Sequence, residues 1–104
     1  MSELKYKRIL LKVSGEALGE KTERGDGFGL NFKKIAEVCT AIRECVDMGV
    51  QVGLVIGGGN FWRGVKNGNG KLQRSHADAM GMLATVMNAI AVGDVLSQHG
   101  VDAR

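Results

Sequence analysis

The chain has 104 residues, 44% hydrophobic and 24% charged, with 16 glycines, no proline and a net charge of +3. That length points to one domain, and the composition excludes disordered, collagen-like and disulfide-scaffold classes. The small positive excess and five aromatics argue against a nucleic-acid platform and suit a small polyanion such as a nucleotide.

The first eight residues are too charged for the apolar part of a signal peptide, and Ile9-Leu10-Leu11 is too short to serve as one. No run approaches ~18 apolar residues, so no membrane span is expected and the cytoplasm is the default location. Arg8-Ile9-Leu10-Leu11-Lys12-Val13 reads as a strand ended by Ser14-Gly15, a turn of phosphate size. Lys5, Lys7, Arg8 and Lys12 make this end basic, either as a solvated strand edge or as an attraction for phosphate. Glu16 to Gly29 is polar and glycine-rich and is expected to be a flexible loop.

Asn31 can cap a helix, and Ile35, Val38, Cys39, Ile42, Cys45 and Val46 then recur at helical steps until Gly49. Cys39 and Cys45 lie about 9 Å apart along that helix, beyond the reach of a disulfide, and are expected to be free thiols of a reducing compartment. Val50 to Ile56 is apolar at nearly every position, as in a parallel strand covered by helices on both faces. Asn67-Gly68-Asn69-Gly70 is a turn or loop. Ser75 is expected to cap a second helix, with Asp78 in capping-box position and an inward stripe of Met80, Leu83, Ala84, Met87, Ala91 and Leu96. Gly100 ends it, and Val101 to Arg104 resembles the start of another strand. The order β–loop–α–β–loop–α–(β) predicts an α/β fold with a mainly parallel sheet, here incomplete.

Gly57-Gly58-Gly59-Asn60-Phe61-Trp62-Arg63-Gly64 carries the chemistry. Glycines at the carboxyl end of a buried strand let backbone N–H groups approach a ligand, and an arginine adds a fork of donors for phosphate. A Walker A loop is excluded, because Glu20 separates Gly19 from Lys21. A dinucleotide fingerprint is weak, because Trp62 stands where a third glycine belongs. No nucleophile, base or metal-ligand set has supporting context, which favours a reaction driven by positioning and charge neutralisation, phosphoryl transfer above all.

Three segments in this order, Lys7 to Leu18, Gly57 to Gly64 and Asp78-Ala79-Met80-Gly81-Met82-Leu83-Ala84-Thr85-Val86-Met87-Asn88, closely resemble the bacterial uridylate (UMP) kinases of the amino acid kinase superfamily. The resemblance implies a three-layer αβα sandwich. It implies transfer of the γ-phosphoryl group of ATP to UMP, with Mg²⁺, in pyrimidine nucleotide biosynthesis. Hexamers, activation by GTP and inhibition by UTP are also family traits. By that resemblance Lys12, Ser14, Gly15, Gly59 and Arg63 meet ATP, Lys12 and Arg63 acting catalytically, and Gly58 and Asp78 meet UMP. Trp62 is expected to pack. Arg24, Gly25, Asp26, Gly27, Phe28 and Gly29 match the segment tied to GTP activation, with extra residues before them, from Gly19 to Arg24. No metal ligand is identified. Family enzymes are more than twice this length, so residues 1–104 correspond to the N-terminal phosphate- and UMP-binding part, expected to be inactive alone. Two alternatives stand beside this reading: a non-catalytic phosphate-binding or self-associating piece, and a superfamily kinase acting on a carboxylate or carbamate.

Overall fold

A computed structural model describes residues 5–21, 27–62 and 70–104. The expectations on Arg24, Gly25, Asp26, Arg63 and Asn67 to Asn69 fall outside these residues.

Strand β1 (Arg8–Val13) leads into a single 3-10 turn, Gly15–Leu18. Two short strands follow, β2 (Glu20–Lys21) and β3 (Gly27–Phe28), paired antiparallel with Glu20 opposite Phe28. The stretch expected to be a loop is therefore partly ordered. Its anchor is Leu18, fully buried, whose carbonyl accepts from the Asn31 amide at 2.7 Å. Two-residue strands carry no readable period, so pattern alone misses them.

Helix α1 spans Phe32–Asp47. The Asn31 side-chain oxygen accepts from the Lys33 and Lys34 amides at 3.0 and 3.2 Å, as a helix cap does. Ile35, Cys39 and Ile42 are buried, Val38 packs beside them, and Val46 at the last turn is exposed. Gly49, at φ 92°, reverses the chain where a side chain would be strained.

Strand β4 (Gln51–Ile56) lies parallel to β1, in register from Arg8 opposite Gln51 to Val13 opposite Ile56. Val52, Leu54 and Ile56 face the core with Val13, whereas Gln51, Gly53 and Val55 are exposed. Among the described residues, helices cover one face of this sheet. Leu10, on the bare face, is 75% exposed. The apolar run marks a strand built to be covered twice, and the described residues supply one cover.

Helix α2 spans Arg74–Gln98. Its cap position is Gln73, with no side-chain cap bond, so Ser75 lies inside the first turn and Asp78 pairs instead with Arg74 at 3.5 Å. Its buried row is Ala77, Ala84, Asn88, Val92 and Leu96. Met80, Leu83 and Met87, expected inside, face outward with Met82, Val86 and Ile90. Small residues take the inner side because the helix lies close against the turn after β4. Contrary to the expectation from apolar runs, α2 is long and apolar enough to cross a membrane by length and composition alone. Val92 and Leu96 of its inner row join the core, with Val95 packed beside them. Residues 101–104 form no strand among the described residues, but Val101 packs on the core.

Candidate functional site

Two parallel strands that end level present their following turns side by side. The Gly57 amide donates to Val13 O at 3.0 Å, extending the ladder one residue past Ile56. Ser14-Gly15 then turns off β1, and Gly57-Gly58-Gly59 turns off β4. A Cβ on Gly15 would lie 2.5 Å from the Gly59 nitrogen and 2.6 Å from Asn60 Oδ1. A Cβ on Gly58 would lie 2.9 Å from Ala84 Cβ and from the Thr85 nitrogen of α2. The glycines are thus required where the two turns and the helix converge. None of Gly57, Gly58 and Gly59 has positive φ, and at Gly57 and Gly58 close approach, not a left-handed backbone, favours glycine. Among the described residues, the N–H groups of Gly58 and Gly59 have no hydrogen-bond partner. Such donors at the carboxyl end of a parallel strand are what an anionic oxygen needs.

Lys12 stands two residues before Ser14, opposite Val55 in the ladder, with an exposed side chain. Val13 enters the core, so Lys12 points to the bare face of the sheet. Ser14 is exposed, and its carbonyl accepts from the Ala17 amide at 3.1 Å. Asp78 lies in the second turn of α2, more than half exposed and paired with Arg74. Trp62 does more than pack: its indole Nε1 donates to Ala77 O at 2.7 Å. That bond fixes the end of the glycine run against the turn carrying Asp78. Lys12, Ser14 and Gly15 come from one strand end, Gly58 and Gly59 from its neighbour, and Asp78 from the helix clasped by Trp62. Among the described residues, no group of three His, Cys, Asp or Glu side chains could hold a metal.

Sequence reasoning missed the polar pair beneath the run. Asn60 and Asn88 are buried at 1% and 0% exposure. Asn60 Nδ2 donates to Asn88 Oδ1 at 3.1 Å, and Asn88 Nδ2 donates to Asn60 Oδ1 at 2.7 Å. Asn88 Nδ2 also donates to Gly57 O, and Asn60 Nδ2 to Gly29 O, both at 2.7 Å. The Gly29 amide donates back to Asn60 O at 2.9 Å, and the Phe28 and Phe61 rings meet edge to face at 6.3 Å. The available signal was a polar residue at four-residue spacing in an inner helical row, Ala84, Asn88, Val92, Leu96.

Away from the site, Cys39 and Cys45 are unbridged. Burial pushes the Cys39 thiol pKa up, and its Sγ donates to Val92 O at 3.8 Å.

Comparison with known proteins bears on the family and the fold. A model of the amino acid kinase family matches residues 7–104. A uridylate kinase of Limosilactobacillus reuteri (strain DSM 20016) is 47% identical over 105 aligned residues, covering all of this chain and 42% of that protein. The crystal structure of a UMP kinase from Bacillus anthracis superposes with a TM-score of 0.78 at 38% identity, covering 89% of this chain and 36% of the other. That of a UMP kinase from Ureaplasma parvum gives 0.80 at 31% identity, covering 96% and 40%. The chain therefore spans about two fifths of the length of the relatives it matches, at 42%, 36% and 40%.

Proposed function

The chain belongs to the amino acid kinase family, and on that premise we propose that it forms the phosphate- and UMP-binding part of an ATP:UMP phosphotransferase. The observation that carries this reading is the pair of N–H groups at Gly58 and Gly59, without a partner among the described residues, where the β1 and β4 turns meet. Likeness to enzymes named uridylate kinase and UMP kinase supplies the substrates.

In this reading Gly58 faces UMP and Gly59 faces ATP, so the run sits between donor and acceptor. The Lys12 ammonium neutralises charge on the ATP phosphates beside Ser14 and Gly15. Arg63 spreads its donors over the equatorial oxygens of the phosphoryl group in transit. Asp78 accepts from a ribose hydroxyl of UMP, which requires it to share its oxygens with Arg74 or leave it. Mg²⁺ would supply charge screening on the nucleotide phosphates; among the described residues no group of three His, Cys, Asp or Glu side chains would hold it. Arg24 to Gly29 serve as the GTP-responsive segment, UTP inhibits, and the complete enzyme is a hexamer assembled partly through the outward apolar side of α2. The free thiols Cys39 and Cys45 suit the cytoplasm. The 104 residues alone bind nucleotide weakly and turn over little.

An ATP-consumption assay on the protein encoded by the complete reading frame tests this, with UMP beside carboxylate and carbamate acceptors. Preference for UMP is expected; preference for a carboxylate or carbamate would move the protein elsewhere in the superfamily, and no acceptor at all would leave a binding module. Arg63→Ala is expected to lower kcat about 10²-fold or more. An unchanged rate removes Arg63 from the mechanism.

A further inference from the structure

The glycine run is held from below by two buried side chains, Asn60 and Asn88. Asn88 projects from the buried side of α2 and donates to Gly57 O, the first carbonyl of the run. Asn60, the residue after Gly59, donates to Gly29 O and pairs twice with Asn88. Every buried side-chain nitrogen and oxygen among the described residues finds a partner, this pair included. A neutral, fully satisfied pair of amides in a dry setting has one low-energy arrangement, because any rotation strands a buried donor or acceptor. The carbonyls it grips lie at 57 and 29. One opens the phosphate turn, and the other closes the Gly27-Phe28-Gly29 segment, whose Phe28 ring also meets Phe61. Segment and run are therefore one mechanical unit clamped to α2, 28 residues apart in sequence at the amides themselves.

We propose that Asn60 and Asn88 are positioning residues that fix the height of the glycine run over the sheet and transmit displacements of the 27–29 segment to it. This rests on the kinase reading for its catalytic consequence, but the clamp itself does not. Each substitution removes a different arm, together with one of the two bonds between the amides. Asn88→Asp keeps an acceptor for Asn60 Nδ2 but loses the donor both to Gly57 O and to Asn60 Oδ1. Asn60→Asp keeps an acceptor for Asn88 Nδ2 and the donor from Asn88 to Gly57 O, but loses the donor both to Gly29 O and to Asn88 Oδ1.

The experiment uses the protein from the complete reading frame, well below the unfolding midpoint of each variant. Two readouts are taken: amide hydrogen exchange, and steady-state kinetics with ATP and UMP. The Phe61 and Trp62 amides, both bonded to Gly58 O, report the run, and the Gly29 amide reports the segment. Asn88→Asp is expected to speed exchange at Phe61 and Trp62, and to lower kcat about tenfold with KM values changed far less, as misplacement of a reacting group does. Asn60→Asp is expected to speed exchange at Gly29 first, with a smaller loss of kcat. Ile42→Val, a core trim on α1, serves as the stability control and is expected to leave both readouts unchanged. Unchanged exchange at all three amides in folded Asn88→Asp and Asn60→Asp would falsify the clamp, whatever the activity. Altered exchange with unchanged kcat overturns the positioning role and leaves a structural pair. If the unmodified protein phosphorylates no UMP, the kinase reading fails, and the exchange data still decide the clamp.

Discussion

At the scale of single residues, the same amino acid has opposite meanings according to what surrounds it. Gly58 abuts the backbone of α2, which cannot step aside for a methyl group 2.9 Å from Thr85 N. Gly58→Ala is expected to cost about 1–3 kcal/mol in urea unfolding. Gly93, inside α2, has nothing within 4 Å of a built Cβ. Gly93→Ala is expected to stabilise by about 0.5–1 kcal/mol in the same measurement, through helix propensity and a smaller unfolded-state entropy. Cys39 gives a pH signature. Burial raises its pKa in the folded state, so folding favours the protonated thiol. The stabilisation is complete below the ordinary thiol pKa and is lost as pH rises through the raised value. Stability measured from neutral to alkaline pH should therefore fall, with a shallower fall in Cys39→Ala. Alkylation of the native protein should reach Cys45 before Cys39. None of this could be read from residue identity, because burial is set by neighbours distant in sequence.

At the scale of elements, legibility followed the strength of the local signal. Helix α1 was legible at both ends: Asn31 caps it with two bonds, and Gly49 turns the chain at positive φ. Its inward stripe also matched, except at Val46 in the final turn. Helix α2 was legible as a helix but not in its start or its facing. Ser75 looked like a cap and is not one. Asn31→Ala is thus expected to cost about 1 kcal/mol, whereas Ser75→Ala should stay within about 0.5 kcal/mol; paired thermal melts decide between them. The facing was misread because α2 is apolar nearly all round, so periodicity could not choose a side. Close packing chose it, turning Ala84 and Asn88 inward and Leu83 and Met87 outward.

At the scale of the whole molecule, the accessible surface is 7656 Å² for 11.1 kDa, against roughly 5,700 Å² for a compact monomer of that mass. The radius of gyration of 15.7 Å likewise exceeds the roughly 13 Å usual for this length. The surplus includes two apolar areas, the bare sheet face around Leu10 and Val55 and the outward side of α2 at Met82, Leu83, Val86 and Ile90. Contiguous apolar surface of this kind marks contact with more protein. The complete protein is expected to sediment as an oligomer, and Leu83→Lys should shift it toward smaller species. A monomer at all concentrations, with or without the substitution, would remove α2 from any subunit contact.

The sequence by itself determined the alternation of β1, α1, β4 and α2, the cap and stop of α1, and the coincidence of glycines with a strand end, because each is a local consequence of periodicity, capping chemistry or backbone freedom. It also carried the family, through three segments in fixed order. Only the tertiary structure decided which side of α2 is buried, that Trp62 clasps the helix bearing Asp78, and that Asn60 and Asn88 lock the run to the 27–29 segment. The reason is physical: a buried amide is specified by its partners, and those partners lie about thirty residues away, where no local pattern reaches.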